Sequence, residues 1–208
     1  MVILLCFLIA GICFALVALI NKGEQDTAEK RKSGIQDIIK EKNISVDKRY
    51  DSNLSFNVLI HDAVNENIWY LEFSKYAPKE KVHIPKVISK INYHDIIQVE
   101  LKEDDELLVV TSRTSQLGSA IVGGALAGGV GAVIGGLSGK QKQKREVKKI
   151  QIHLTLNDLQ NPLLKINFED FVKPVQTSLR SYLIKHEEAL NWFKLMEVII
   201  KRTESKQH

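Results

Sequence analysis

The side chains that most often carry chemistry in proteins are scattered along this sequence rather than grouped. No two of the six histidines are three or four residues apart, and neither cysteine lies near a histidine in the sequence, so we predict no metal site. The histidines are His61, His83, His94, His153, His186 and His208. No Gly-x-Ser-x-Gly motif marks a nucleophile. We therefore expect no catalytic residue, no cofactor and a protein that is not an enzyme.

Three polar features have an ordinary structural interpretation. The acidic run Glu103–Glu106 is interpreted as the solvated tip of a turn rather than a metal site. His94 and Asp95 precede a strand and are interpreted as loop polarity rather than a catalytic dyad. His186 lies on an apolar helical stripe, where a packed residue at the edge of the core is the expected role.

The most distinctive feature is an uncharged, glycine-rich tract at residues 117–137. Small residues recur every four positions in two rows, and on a helix such rows form a face that another backbone can approach closely. The predicted helix-packing residues are Gly123, Gly124, Ala127, Gly128, Gly131, Gly135, Gly136 and Gly139. Nucleotide binding is not predicted, because Ile134 stands where a phosphate-binding loop ending at Gly139-Lys140 would need its first glycine.

We predict that residues 115–140 form a helical hairpin inserted in a folded domain. Glu106–Arg113 and Glu146–Leu156 are interpreted as neighbouring strands of one sheet, so a single membrane crossing by the tract would separate their paired ends. The hairpin would dip into one leaflet, while a single span and a soluble hairpin remain alternatives. Basic residues after the tract are predicted to contact lipid head groups. These are Lys140, Lys142, Lys144 and Arg145.

The chain opens with an uncharged apolar stretch, residues 2–20. Nineteen helical residues span about 28 Å, close to the hydrocarbon thickness of about 30 Å, so we predict a transmembrane anchor at residues 1–20. A cleaved signal peptide is the alternative, but the stretch lacks a preceding basic residue and a small-residue cleavage site. Basic residues from Lys22 to Lys32 follow it and predict a single-pass protein of the cell membrane with its soluble part in the cytoplasm.

The remainder predicts an α+β fold of closely spaced antiparallel strands. Residues 21–52 are polar and are interpreted as a linker holding one short helix, Ser33–Glu41. Seven strands without intervening helices predict a sandwich or partly closed barrel. An amphipathic helix starting near Pro174 ends the domain at residue 202, and residues 203–208 form a tail. The strands are Leu54–His61, Asn67–Ser74, Lys86–Ile91, Ile96–Lys102, Glu106–Arg113, Glu146–Leu156 and Pro162–Phe168.

Two stretches carry a resemblance to a known family. Ile91–Leu101 (INYHDIIQVEL) and Ala189–Ile200 (ALNWFKLMEVII) are similar to a strand and the closing helix of small bacterial pleckstrin-homology-like (PH-like) domains, and the likeness covers residues 53–202 apart from the insert. The resemblance implies a binding or scaffolding module rather than an enzyme. Relatives that bind phosphoinositides use a basic loop between the first two strands. Here that loop, Asp62–Glu66, is acidic, so phosphoinositide binding is not implied.

These features together predict a membrane-anchored, non-enzymatic binding or scaffold module of a bacterium. The 29 basic and 25 acidic residues leave a net charge of +4, too mild an excess to predict nucleic-acid binding. The tract resembles glycine-zipper segments of membrane-associated bacterial proteins, so the expected partners are the lipid bilayer, a second copy of the chain or another membrane protein. The alternative is a membrane-active effector, either permeabilising or immunity-type, that acts through glycine-zipper assembly.

Overall fold

The computed structural model describes residues 2–52, 56–78, 80–113 and 145–206, and within the first twenty-one residues it describes side chains only at positions 12, 14, 17 and 19. Two helices and eight strands are found in these residues. In chain order they are α1 (Val2–Glu41), β1 (Lys48–Ser52), β2 (Asn57–Asp62), β3 (Asn67–Glu72), β4 (Val87–Asn92), β5 (Ile96–Glu103), β6 (Glu106–Ser112), β7 (Glu146–Leu156), β8 (Leu163–Gln176) and α2 (Arg180–Ser205).

The strands form two four-stranded antiparallel sheets, in the orders β1-β2-β3-β4 and β6-β5-β7-β8. The predicted count of seven strands is therefore wrong by one, because β1 lies inside the predicted linker. Tyr50 is the only apolar side chain of β1, too weak a pattern to indicate a strand. In the structure Tyr50 pairs with Leu59 of β2, and its ring stacks on Phe168 of β8 at 3.8 Å between centroids. This strand therefore joins the edge of the first sheet to the edge of the second.

Apolar side chains cover both faces of the first sheet. Leu59, Ile68 and Tyr70 face the main core between the sheets, whereas Val58, Ile60 and Trp69 belong to a second cluster on the opposite face. Strands buried on both faces have nearly continuous apolar sequences, as β2 and β3 do. The second cluster is closed by the end of helix α1.

The second half of α1 packs on the folded domain and is not a linker that leads to it. Ile35 and Ile38 of α1 are 3% and 7% exposed within the second apolar cluster. Burying an isoleucine side chain contributes about 1.5–3 kcal/mol, so this contact is enough to hold the helix against the sheet. Residues 21–52 thus contain half of a helix and a strand where the sequence pattern predicts a linker.

The predicted transmembrane anchor is not supported. The apolar stretch is no separate element, because α1 continues through 40 residues from Val2 into the charged half that packs on the sheet. Among the residues with a described placement, no helix combines the length and the apolar character needed to cross a bilayer. The predicted single-pass topology is corrected accordingly.

The predicted pairing on which the inserted hairpin depends is also wrong. Strand β5 lies between β6 and β7 and is antiparallel to both, so β6 and β7 run parallel and are not neighbours. Ser112 lies opposite Gln98 at one end of β5, while Ile150 lies opposite Glu103, about 17 Å further along at 3.3 Å per residue. The chain therefore leaves β6 and begins β7 at opposite ends of the sheet. The hairpin itself falls outside the described residues.

Helix α2 packs mainly on β5 and β7 and closes the main core. Its buried residues include Phe193, Met196 and Ile200, which lie on the apolar stripe that the helical spacing predicts. Trp192, which lies beside that stripe in the sequence pattern, is buried as well. Its start differs from the prediction, because Pro174 lies in β8. A proline suits the first turn of a helix, but it is also tolerated in an edge strand, and β8 is an edge of its sheet.

Candidate functional site

The sequence places the candidate site in and beside the glycine tract, and most of it lies outside the described residues. This holds for the glycines at positions 123, 124, 128, 131, 135, 136 and 139, for Ala127, and for Lys140, Lys142 and Lys144. Arg145 is the first described residue after the tract. The candidate site is therefore built from the groups that hold the two ends of the tract.

Arg145 is held by two carboxylates of the β5–β6 turn. Its Nη2 atom lies 3.2 Å from Oε2 of Glu103 and 3.3 Å from Oε2 of Glu106. The two carboxylates differ in environment, since the side chain of Glu103 is 1% exposed and that of Glu106 is 77% exposed. Interaction with Glu106 is screened by water, so the buried Glu103 provides the stronger hold. Contact of Arg145 with lipid head groups stays a prediction.

Glu103 also connects this turn to helix α2. Tyr182 donates its hydroxyl to Oε1 of Glu103 at 2.5 Å, and Nδ1 of His186 lies 2.9 Å from the same oxygen. Burial and the adjacent carboxylate of Glu103 raise the pKa of Tyr182, so its hydroxyl stays protonated and donates. The interpretation of Glu103 as part of a solvated tip is wrong. His186 is buried at the core edge as predicted, and it makes a polar contact with Glu103 that the helical spacing does not predict.

The next residue of the turn holds the first part of strand β7. Asp104 and Asp105 have φ angles of 48° and 69°, which form the two-residue turn that matches the twist of a hairpin. The Asp104 carboxylate accepts hydrogen bonds from the backbone N–H groups of Lys148 and Lys149, at 3.0 and 2.8 Å to Oδ1. Glu103, Asp104, Arg145, Tyr182 and His186 are called the Glu103 cluster below.

Another arginine fixes the opposite end of the tract. Nη2 of Arg113 donates to the carbonyl oxygens of Tyr93 and His94, at 3.2 and 2.5 Å. Its backbone N–H donates to the carbonyl of Ile97 at 3.0 Å. His94 and Asp95 lie in a short 3-10 turn, and Asn92 accepts the N–H of His94. The placement of His94 and Asp95 in this turn agrees with their interpretation as polar loop residues. Both ends of residues 114–144 are therefore attached to the second sheet.

The Glu103 cluster is suited to holding structure rather than to converting a substrate. Its Glu103, Tyr182 and His186 side chains lie in the interior, where substrate has no direct access. Across the described ranges, no three His, Cys, Asp or Glu side chains are grouped to hold a metal ion. What the cluster does chemically is to keep a buried carboxylate in contact with a guanidinium, a hydroxyl and an imidazole.

Among the remaining histidines, His153 of β7 carries the prediction made below for the pH dependence of stability. It is 5% exposed, and its Nδ1 lies 4.0 Å from Oε2 of Glu100. Burial, followed by the nearby Lys102, lowers the pKa of His153 despite the opposing effect of Glu100. The folded protein therefore favours the neutral imidazole.

We expect the fall in Tm between pH 7 and pH 5 to be smaller for His153→Gln than for the unsubstituted protein. An unfolded histidine binds a proton near pH 6.5, whereas His153 in the folded state resists protonation until a lower pH. Its contribution to stability is thus full above about pH 6.5 and is lost as the pH falls. Thermal unfolding followed by circular dichroism measures this, with the exposed His94→Gln as control. Equal falls for His153→Gln and His94→Gln would contradict the assignment.

The fold and the attachment of the tract define a class of protein: a PH-like β module with a C-terminal helix and a glycine-zipper segment inserted between two strands of one sheet. The chain belongs to the family of glycine zipper containing PH domains, whose family model matches residues 45–170.

Two curated relatives are similar to this chain over 119 residues, each at 32% identity and over 54% of the chain. One is named an immunity protein of Bacillus phage SPbeta, with 57% of its length covered. The other is named the SPbeta prophage-derived uncharacterized membrane protein YomJ of Bacillus subtilis strain 168, with 51% covered. The chain thus spans about half the length of these relatives. No solved structure matches it significantly.

Proposed function

We propose that this protein is a non-enzymatic, membrane-related binding module with an immunity-type role, and that the glycine tract, residues 115–140, is its contact surface. The observation that carries the proposal is the attachment of both ends of the tract to one sheet, through Arg113 at one end and Arg145 with Glu103 at the other. A surface held at both ends loses less conformational entropy when it binds.

The composition of the tract favours a helix as its partner. Glycine and alanine at four-residue spacing allow another backbone to come close, so the partner is a helix of a second copy of this chain or of a membrane protein. The lysines at positions 140, 142 and 144 follow the tract, and each contributes up to about 1 kcal/mol near an anionic bilayer surface. The names of the two relatives, an immunity protein and a membrane protein, support this role.

We expect the double substitution Gly124→Leu plus Gly131→Leu to weaken the association of the tract with its partner helix about tenfold. The reason is that leucine side chains keep the partner backbone away from the small-residue rows. The full chain is expressed in bacteria, and two quantities are measured: the fraction that sediments with washed membranes, and the dimer yield after amine cross-linking. The matched control is Ala125→Leu plus Val133→Leu, which adds apolar bulk to the same tract outside the two rows.

The same pair of variants tests the immunity-type role. Phage SPbeta should form fewer plaques on a lawn of Bacillus cells that express the chain. Plaque formation should return with the glycine double variant but not with the control variant. The proposal would be contradicted if the glycine substitutions changed neither the membrane-bound fraction, nor the cross-linking yield, nor the plaque count. Leakage of a dye from cells expressing the protein, lost in the same variant, would instead assign the tract a permeabilising role.

A further inference from the structure

A groove lies between the second half of α1 and the β1–β2 edge of the first sheet. Its cavity volume is about 470 Å³, within the range of roughly 300–1,000 Å³ typical of small-molecule sites. Apolar side chains, among them Ile35 and Val58, line part of it, and charged side chains line the rest. The groove lies apart from the Glu103 cluster, and its interpretation does not depend on the function proposed for the glycine tract.

The charges that line the groove are unbalanced. Arg31, Lys32 and Arg49 carry positive charge, and Asp51 is the acidic residue lining the groove. Asp51 is already occupied, since its Oδ1 lies 2.9 Å from Nε of Arg49. Within the ranges that the structure describes, Arg31 and Lys32 have no ion-pair partner. The groove therefore presents two cations without counter-charges.

Aromatic rings hold the Arg31 guanidinium in place of a carboxylate. Its central carbon lies 4.3 Å from the ring centroid of Phe56 and 5.8 Å from that of Phe73. Burial without a compensating carboxylate lowers the pKa of Arg31, although a guanidinium stays charged at neutral pH. An arginine that is charged, partly desolvated and already fixed in position binds an anion with little further ordering.

One buried polar atom at the groove still lacks a partner among the described residues. It is the Nε donor of Arg31, which belongs to the guanidinium itself. Asn57 also lines the groove, but its side chain lies on the opposite face of the sheet from Val58, and its Nδ2 donates to the carbonyl of Asn167 in the second sheet. A buried guanidinium donor needs an anionic oxygen as its acceptor. A phosphate ester supplies such an oxygen.

We propose that this groove binds a phosphate ester through Arg31, with Lys32 adding charge. Guanidinium groups match phosphate oxygens through paired hydrogen bonds, which makes arginine the specific element of the site. Ile35, Phe56 and Val58 contact the carbon part of the ester. The same chemistry is present in a soluble glycerol phosphate and in the head group of phosphatidylglycerol.

The experiment compares these two sources with the full chain. Glycerol phosphate is titrated while Tm and amide chemical shifts are followed, and binding to phosphatidylcholine vesicles with and without phosphatidylglycerol is measured by co-sedimentation. Arg31→Gln should weaken binding about tenfold or more, Arg31→Lys should restore part of it, and Lys40→Gln, at an exposed position of the same helix, should leave it unchanged. Lys32→Gln, expected to weaken binding less than Arg31→Gln, is the second test should Arg31→Gln fail to fold.

If glycerol phosphate binds and its binding depends on Arg31, a soluble phosphate ester is sufficient as the ligand of the groove. Binding only to vesicles containing phosphatidylglycerol, again dependent on Arg31, assigns the lipid head group. Binding by neither probe, or binding to which neither Arg31 nor Lys32 contributes, overturns the proposal. Gly124→Leu plus Gly131→Leu should retain full binding in this experiment, so failure of the groove and failure of the tract's proposed role are distinguishable.

Discussion

Replacing Glu103 with alanine should lower the free energy of unfolding by about 3–5 kcal/mol, the usual cost of removing one partner of a buried charge pair. The substitution leaves the Tyr182 hydroxyl and the His186 imidazole without their shared acceptor. It also removes the buried carboxylate that Arg145 contacts at 3.2 Å. Urea unfolding of the full chain, followed by circular dichroism and tryptophan fluorescence, measures the loss, since Trp192 is buried on the same helix.

Glu106→Ala is the matched control for this prediction. Glu106 belongs to the same turn and contacts the same guanidinium at 3.3 Å, but its side chain is 77% exposed. An exposed ion pair contributes about 0–1 kcal/mol, so its removal should change little. Comparable small losses for Glu103→Ala and Glu106→Ala would show that the cluster does not hold helix α2 to the β5–β6 turn.

Glu103 shows how far local sequence can reveal a site. Four consecutive acidic residues are typical of a solvated turn, and the partners of Glu103 lie 79 and 83 residues further along the chain. A local signal nevertheless existed. Val99, Leu101 and Glu103 alternate along β5, and all three are buried, so Glu103 continues the inward face of its strand. A carboxylate at an inward position predicts a buried partner.

The strands with clear alternation were predictable to within a few residues, and the differences have local causes. In β7 the inward residues Val147 and Ile150 are three apart, which strict alternation does not allow. A register shift between Val147 and Lys149 absorbs the extra residue. Strand β8 extends to Gln176, eight residues beyond its predicted end, because an edge position accepts Pro174.

The order of the strands was not predictable from the same patterns. Alternation indicates which side chains face inward but not which strand lies next to which. Strands consecutive in sequence are usually neighbours, and that tendency favours pairing β6 with β7. In the structure β5 separates them, and a bulge at Leu101/Lys102 adjusts its pairing with β6. The positions of the strand ends on either side of the glycine tract therefore depend on tertiary packing that no single segment encodes.

Replacing Gly34 with alanine should lower the free energy of unfolding by about 1–3 kcal/mol, the usual cost of overpacking. A Cβ atom at this position of α1 would lie 2.1 Å from the backbone carbonyl oxygen of His83 and 2.9 Å from the carbonyl carbon. The obstacle is backbone, so no rotamer change relieves it. The segment around His83 must move off the helix, or the helix must move off the sheet. Hydrogen exchange at the amides of Ile35 and Ile38 reports which of the two occurs.

Gly23→Ala on the same helix separates this clash from the general preference of helices for alanine. Nothing lies within 4 Å of a Cβ built at Gly23, so this substitution should be neutral or stabilise α1 by up to about 1 kcal/mol. Opposite signs for the two glycines would show that contact with the domain, and not helix propensity, governs residue 34. A gain in stability for both substitutions would mean that α1 does not rest on the domain in solution. In that case the groove beside Arg31, which α1 forms with the sheet, would not exist either.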